Sequence, residues 1–422
     1  MSPHRTLKVW FAAALGGAPV TLLAGGLRLL SQDGFATARG EAFVATADNP
    51  SAIYYNPAGI TQLSGSNLRG GLYGIYYDPT FRPPPDAQNS GTTYHLRKNE
   101  AAAAQFFLTH SLTNSPLSFG LGVYAPFGAS GEWPQDTGFR SVAISGDLKY
   151  FTINPVLALK LAPSFSIAAG MTADYAQLQM EQGLRAFNTS PNRFRFTGHG
   201  WSVGYNLGTL WQPHEKLSIG ASFRSEADLT FDGHTDIEQF PVIPSTHLPA
   251  RSEFKFPWNV VAGLSFRPTP KWNFEFDADY TEWSSFGIIT IKQAGPPPFP
   301  VQQDIPVTLN WRPSWAYKFG ATRYFDNHWH LSAGYVFSEN SVPDAYYTPL
   351  AADMDRHFFS IGVGRQGRRF DFDLTYQCGY GAAHTVKGST PSSTPGQFAG
   401  QTADGRYDFI SHAFLASVGV RF

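Results

Sequence analysis

Gly200-Trp201-Ser202-Val203-Gly204 has the G-x-S-x-G spacing of a hydrolase nucleophile elbow. Such an elbow needs a strand-to-helix turn that lifts the serine out of its sheet. Here Trp201, Val203, Tyr205, Leu207 and Trp211 alternate with Ser202, Gly204, Asn206 and Gly208, so Ser202 falls inside a strand, on its polar side. A lipase or esterase is therefore the enzyme alternative, and no catalytic residue is assigned. The 12 histidines are scattered, with no H-E-x-x-H or comparable pair at ligand spacing, so neither metal nor cofactor is expected. Cys378 stands alone, which excludes an intramolecular disulfide framework and any Cys-rich metal site. Pro83-Pro84-Pro85 and Pro296-Pro297-Pro298 fall between strand patterns, where they stiffen loops.

The elements that hold these residues are strands of one kind. Trp272, Phe274, Phe276, Ala278 and Tyr280 oppose Asn273, Glu275, Asp277 and Asp279, while Phe370, Phe372, Leu374 and Tyr376 oppose Asp371, Asp373, Thr375 and Gln377. Charges at every second position are expected to face water, and the aromatic face must meet something apolar and very large. In a β-sandwich that is the other sheet; in a membrane barrel it is lipid, with aromatics at the two interfaces. Trp201 and Trp211 bracket one strand at a spacing close to the roughly 9–11 residues that a tilted strand needs to cross hydrocarbon. The chain ends on a strand with Phe414, Ala416, Val418, Val420 and Phe422 on one face, and a terminal Phe resembles the closing signature of bacterial outer-membrane barrels. Charged residues are only 15%, against roughly 25% in soluble proteins, and the net charge of −1 gives no nucleic-acid footprint.

Connections alternate in length. Short ones fall near 110–116, 162–164, 212–216, 267–271, 325–328 and 366–369; long ones near 82–94, 127–146, 188–193, 233–251, 284–304, 338–356 and 385–404. Only 188–193 is modest for its class. Short periplasmic turns and long extracellular loops characterise outer-membrane barrels, and the segments so separated number about fourteen, an even count with both ends in the periplasm. The fold expected is an all-β, fourteen-stranded antiparallel transmembrane barrel spanning residues 65–422.

His4, Arg5 and Lys8 precede an apolar run from Val9 to Leu23 that ends in Ala24, Gly25 and Gly26, which reads as a signal peptide over residues 1–24. Gly16, Gly17 and Pro19 argue against a membrane anchor. Residues 25–64 break the strand pattern, with helix-compatible residues from Gly34 to Ala47 and turns at Asp48-Asn49-Pro50 and Asn56-Pro57-Ala58-Gly59. A barrel of this width cannot close its lumen with its own side chains, so this segment is expected to plug it.

Several stretches, taken in order, resemble the FadL family of outer-membrane transporters for long-chain fatty acids and other hydrophobic compounds. Gly34-Phe35, Ala38-Arg39-Gly40-Glu41-Ala42, Asp48-Asn49-Pro50-Ser51 and Tyr55-Asn56-Pro57-Ala58-Gly59 resemble that family's N-terminal hatch with its Asn-Pro-Ala motif. Ala125-Pro126-Phe127-Gly128, Ile153-Asn154-Pro155, Phe223-Arg224-Ser225, Trp283-Ser284-Ser285-Phe286, Tyr317-Lys318-Phe319-Gly320, Val342-Pro343-Asp344 and Asp355-Arg356-His357 continue it to Ser360-Ile361-Gly362. Their collinearity carries the resemblance.

The resemblance implies a plugged barrel in a Gram-negative outer membrane. Cargo is caught among extracellular loops, reaches a lumen pocket, and leaves sideways through a kinked strand once the hatch moves. Asn56, Pro57 and Ala58 are the hatch motif. The third strand suits the opening: Leu117, Phe119, Leu121 and Val123 face out, Gly120 and Gly122 leave room inside for ligand or hatch, and Pro126, Phe127 and Gly128 follow. Pro126 removes a ladder donor and Gly128 permits unusual dihedrals, so pairing is expected to fail there; the alternative is that these residues merely begin a loop. A fatty-acid carboxylate would need a buried cation, for which Lys318, Arg39 and Arg356 are candidates, with Phe35 a further ligand contact. The expected partners are a small hydrophobic ligand and outer-membrane lipid and lipopolysaccharide, around a monomer. Long-chain fatty acids and aromatic hydrocarbons fit equally, and a general solute porin is the non-enzyme alternative.

Overall fold

The computed structural model of this protein describes residues 27–184, 192–239, 243–297, 301–390 and 401–422. The expected signal peptide, 1–24, lies outside the described residues. No helix among the described residues is long and apolar enough to cross a membrane; strands make the crossing.

Fourteen staves follow one another, several of them interrupted. They are β1 (Ser66–Arg82), β2 (Glu100–Ser111), β3 (Leu117–Tyr124, resumed at Gly128–Glu132), β4 (Ser145–Ala162), β5 (Phe165–Gly183) and β6 (Asn192–His214). Next come β7 (Leu217–Arg224, resumed at Ala227–Gln239), β8 (Ile243–Phe256, resumed at Asn259–Thr269), β9 (Trp272–Thr281, resumed at Ile288–Gln293) and β10 (Asp304–Thr308, resumed at Ser314–Tyr324). The last four are β11 (Trp329–Ser338), β12 (Arg356–Gln366), β13 (Phe370–Val386) and β14 (Gly405–Arg421). Each pairs antiparallel with its neighbours, and β14 returns to β1 in a ladder from Asn67 opposite Arg421 to Arg82 opposite Arg406. Closure leaves no sheet edge, as a membrane-spanning sheet requires.

Period-two alternation assigns the faces. Trp201, Val203, Tyr205, Leu207 and Trp211 of β6 are all exposed, as are Phe274 and Phe276 of β9 and Leu374 of β13. These side chains form the lipid-facing band.

Several expectations need correction, and paired strands at Gly128–Glu132 and Ile288–Gln293 already fall within the expected long connections 127–146 and 284–304. The charges alternating along β9 do not face water: Glu275, Asp277 and Asp279 are buried inside the barrel. The stretch 233–251 is not a loop either, because β7 and β8 stay paired from Ala227 opposite Phe256 to Gln239 opposite Ile243. There the polarity of the faces inverts. Leu229, Phe231, Ile237 and Phe254 turn inward and are buried, while Asp228, Asp232, Arg251, Glu253 and Lys255 line the outer face in ion pairs. Above the lipid the exterior is water and the interior is apolar, so the alternation continues with the opposite sense. β5 runs to Gly183 and β6 begins at Asn192, with Phe194 and Phe196 buried, while most of the expected connection 188–193 lies outside the described residues.

Candidate functional site

Residues 28–60 thread the lumen almost wholly buried. A buried backbone must find partners for its N–H and C=O groups, and this segment is too irregular to supply its own. Helix Gly34–Ala38 is capped by Asp33, whose carboxylate accepts the N–H groups of Phe35 and Ala36. The wall satisfies much of the rest. Asp277 accepts the N–H groups of Phe43 and Val44 at 2.8 and 3.0 Å, and Glu275 those of Ala45 and Thr46 at 2.7 and 3.2 Å. Thr375 donates to the Gly34 carbonyl and Ser417 accepts the Gly34 N–H. Arg69 of β1 ties Asp33 to Asp371 and Asp373 of β13, the last two at 2.7 and 2.6 Å.

The Asn-Pro-Ala motif is anchored in the same way. Asn56 caps the 3₁₀ turn Pro57–Gln62 by accepting the Ala58 N–H, and its amide donates to the carbonyls of Val44 at 2.7 Å and Thr209 of β6 at 2.9 Å. Pro57 opens the turn, where a missing N–H costs nothing. Glycines on the wall let the segment's backbone approach closely. A Cβ on Gly334 would lie 1.9 Å from Gly40 N, and Gly40 itself has φ +60. Gly120 and Gly122 serve this packing too: a Cβ there would meet Ile53 at 2.8 and 2.9 Å. The room they provide is taken by the short helix Ala52–Tyr55 rather than left open.

Pairing fails where β3 is interrupted. β2 is paired with β3 only from Ser111 opposite Ser118 to Phe106 opposite Val123, so Ala101–Gln105 have β1 alone as partner. β3 itself pairs with β4 through Thr152 opposite Tyr124, then again from Lys149 opposite Gly128. Pro126 therefore lies in a true strand break, and Gly128 begins the resumed strand rather than a loop or an unusual turn. The freed backbone groups find the N-terminal segment. Leu29 N–H donates to the Pro126 carbonyl at 2.8 Å, Gly128 N–H to the Leu27 carbonyl at 3.0 Å, and the Gln32 amide to the Ala125 carbonyl at 2.7 Å. Arg28 and Phe127 thus face each other as an antiparallel bridge.

Apolar spaces lie on both sides of this seam. A groove of about 1190 Å³ runs over Gly74 and Ala102–Ala104 to Tyr124, Ala125 and Tyr150 at the break. Toward the extracellular side a cavity of about 140 Å³ is lined by Leu27, Leu148, Phe194, Phe256, Trp311 and Tyr347 among others. The Phe127 ring stands between them, 5.1 Å from Tyr150 of the groove and 5.0 Å from Phe256 of the cavity.

Each candidate cation has a partner inside the protein. Lys318 Nζ is 2.7 Å from Asp279, which also binds Arg28 at 2.8 Å. Arg39 reaches Asn273 at 2.6 Å and Glu275 at 3.1 Å, its guanidinium 5.3 Å from the Phe35 ring. Phe35 in turn packs edge-on against Phe43 and His330, inside the N-terminal segment's own core. Arg356 is buried 4.3 Å over Phe409 and donates to the Ala352 carbonyl. These four residues are not brought together; Arg39 fixes segment to wall, whereas Lys318 pairs within the wall with the Asp279 that Arg28 of the segment also binds. Ser202 lies in the uninterrupted strand β6, with no strand-to-helix turn. The functional residues that local spacing missed are Glu275 and Asp277, whose signal was the acids alternating with aromatics, and Leu27–Leu29, which carried none.

The sequence profile of the family described as outer membrane protein transport protein (OMPP1/FadL/TodX) matches residues 21–422. A long-chain fatty acid transport protein of Salmonella typhi is 24% identical over 357 residues, covering 76% of this chain and 78% of the relative. Among solved structures, a Pseudomonas aeruginosa FadL homologue superposes with a TM-score of 0.81 at 17% identity, over 94% of this chain and 100% of the other. The Pseudomonas putida toluene transporter TodX gives 0.70 at 14% identity, with the same coverage. At these identities the structural likeness speaks for the fold alone. Matched by its profile over nearly the whole length, the chain belongs to the OMPP1/FadL/TodX family of outer-membrane transport proteins.

Proposed function

We propose that this protein passes small hydrophobic molecules, long-chain fatty acids or aromatic hydrocarbons, from the cell exterior into the outer membrane by sideways release. Cargo occupies the extracellular apolar cavity beside Leu27, residues 27–64 act as a hatch, and Phe127 separates cavity from groove. Withdrawal of Leu27–Leu29 from Pro126–Gly128 joins the two spaces and lets cargo leave past Ala102–Ala104. The observation that carries this reading is the seam itself, in which the groups freed by a break in the wall are held by a segment that is not part of the wall. Withdrawal breaks the three hydrogen bonds of the seam and the buried Arg28–Asp279 pair, at about 1–3 kcal/mol for each group left unpaired, so cargo or water must take over their partners as the segment moves.

The named relatives transport fatty acids and toluene, and an apolar cavity suits both. A general porin is disfavoured by a lumen packed with buried backbone. The protein is proposed to act as a monomer among outer-membrane lipid and lipopolysaccharide. Uptake of a fluorescent long-chain fatty acid and of toluene, by cells expressing the protein, tests the reading. Saturable uptake of either, with little permeation of small hydrophilic solutes in liposomes, is expected; free permeation of those solutes and no apolar uptake would overturn it.

A further inference from the structure

The extracellular hairpin of β7 and β8 carries on its outer face a grouping that transport does not use. Asp236 stands directly across from His247, and His234 lies two residues nearer the membrane, opposite Pro249. His247 Nδ1 is 2.7 Å from one Asp236 oxygen and His234 Nε2 is 3.5 Å from the other. The two imidazole rings are 4.3 Å apart between centroids, and one donor atom from each of the three residues lies within 4.8 Å of the others. Local spacing could not reveal the set, because strand pairing assembles it from two segments.

We propose that His234, Asp236 and His247 bind a transition-metal dication of the Zn²⁺ type. Two imidazoles and a carboxylate suit zinc, copper or nickel, whereas calcium and magnesium favour oxygen ligands alone. Metal bonds of about 2.0–2.1 Å in a tetrahedron place donor atoms roughly 3.3 Å apart; with the imidazole nitrogens 2.7 and 3.5 Å from the two Asp236 oxygens and all three donors within 4.8 Å of one another, small side-chain rotations reach that spacing. The neighbouring cations are committed elsewhere. Arg195, in register with Asp236 on β6, is held by Glu181 at 2.9 Å, and Arg251 lies near Asp232 and Glu253 at 3.9 and 3.6 Å. The His247 side chain is 65% exposed, so a hydrated ion reaches the site and keeps water at its fourth position.

The site staples β7 to β8 close to their connection. On the opposite face of this hairpin Phe231 packs against Phe254 at 5.2 Å, and Phe254 and Phe256 line the apolar cavity. A bound ion braces the cavity wall from outside, on the surface away from the cargo.

Isothermal titration of ZnCl₂ into the full-length, tag-free, chelator-stripped protein in detergent tests this. One site per chain with a micromolar Kd is expected. His247→Ala and Asp236→Asn should each weaken it at least tenfold, while His110→Ala, far from the cluster, leaves it unchanged. Heat-modifiable migration in electrophoresis shows that each variant is a closed barrel. Absence of zinc binding in the wild type, or binding that survives both cluster substitutions, would overturn the proposal.

Discussion

The Asp277 carboxylate of β9 accepts the backbone N–H groups of Phe43 and Val44, at 2.8 and 3.0 Å. One acidic side chain of the wall thereby does for the N-terminal segment what a helix ladder would otherwise do. Asp277→Ala leaves two buried donors unpaired, at about 1–3 kcal/mol each, without touching a strand–strand hydrogen bond. Efflux of small hydrophilic solutes from proteoliposomes should rise several-fold while the barrel remains heat-modifiable; unchanged efflux would show that Asp277 does not hold the segment.

Gly334 of β11 allows the Gly40 turn to lie against the wall, and a Cβ there would come within 1.9 Å of Gly40 N. A neighbour that is backbone cannot swing aside, so Gly334→Val should force the turn inward. Amide hydrogen exchange reads the result: the Gly40 and Glu41 N–H groups, bonded to the Thr37 and Ala36 carbonyls in the native protein, exchange faster in the variant. Protection equal to wild type would contradict the packing described.

Lys318 is committed to Asp279. Lys318→Met should therefore change the affinities for a fatty acid and for the matching fatty alcohol by the same factor, within about twofold. A tenfold loss confined to the acid, measured by competitive displacement of a fluorescent ligand, would restore Lys318 as a carboxylate anchor.

The barrel was legible because lipid imposes a simple rule. Trp201, Val203 and Tyr205 must point outward wherever the strand meets hydrocarbon, and period two then shows in the residues themselves. The rule lapses above the membrane: Phe231 and Phe254 turn inward and Asp232 and Arg251 outward, so 233–251 has the pattern of a loop although its described residues pair from Gly233 opposite Ala250 to Gln239 opposite Ile243, with one register shift after Ile237. Within the lumen, sequence pattern marks charge but not its partner. Glu275 and Asp277 read as solvated acids because the donors they bind are backbone groups some 230 positions away, at Val44 and Ala45, and a backbone N–H is the same at every residue. Lys318 and Arg39 read as free cations for the same reason. Pro126 announced a break, while the segment that fills it, Leu27–Leu29, has no side-chain feature to give it away.

The seam between Leu27–Leu29 and Pro126–Gly128 is the central claim, and Arg28 and Phe127 face each other across it. Directly opposed residues of an antiparallel bridge lie within the Cα separation a disulfide accepts, about 4.4–6.8 Å. An Arg28→Cys, Phe127→Cys pair, made with Cys378→Ser so that no other thiol competes, allows the seam to be locked and released in the same molecule. Uptake of a fluorescent fatty acid should fall at least tenfold on oxidation and return on addition of dithiothreitol, the reduced state serving as its own control for the lost side chains. Equal uptake in the two states, with the disulfide verified by mass spectrometry, would contradict release through this opening.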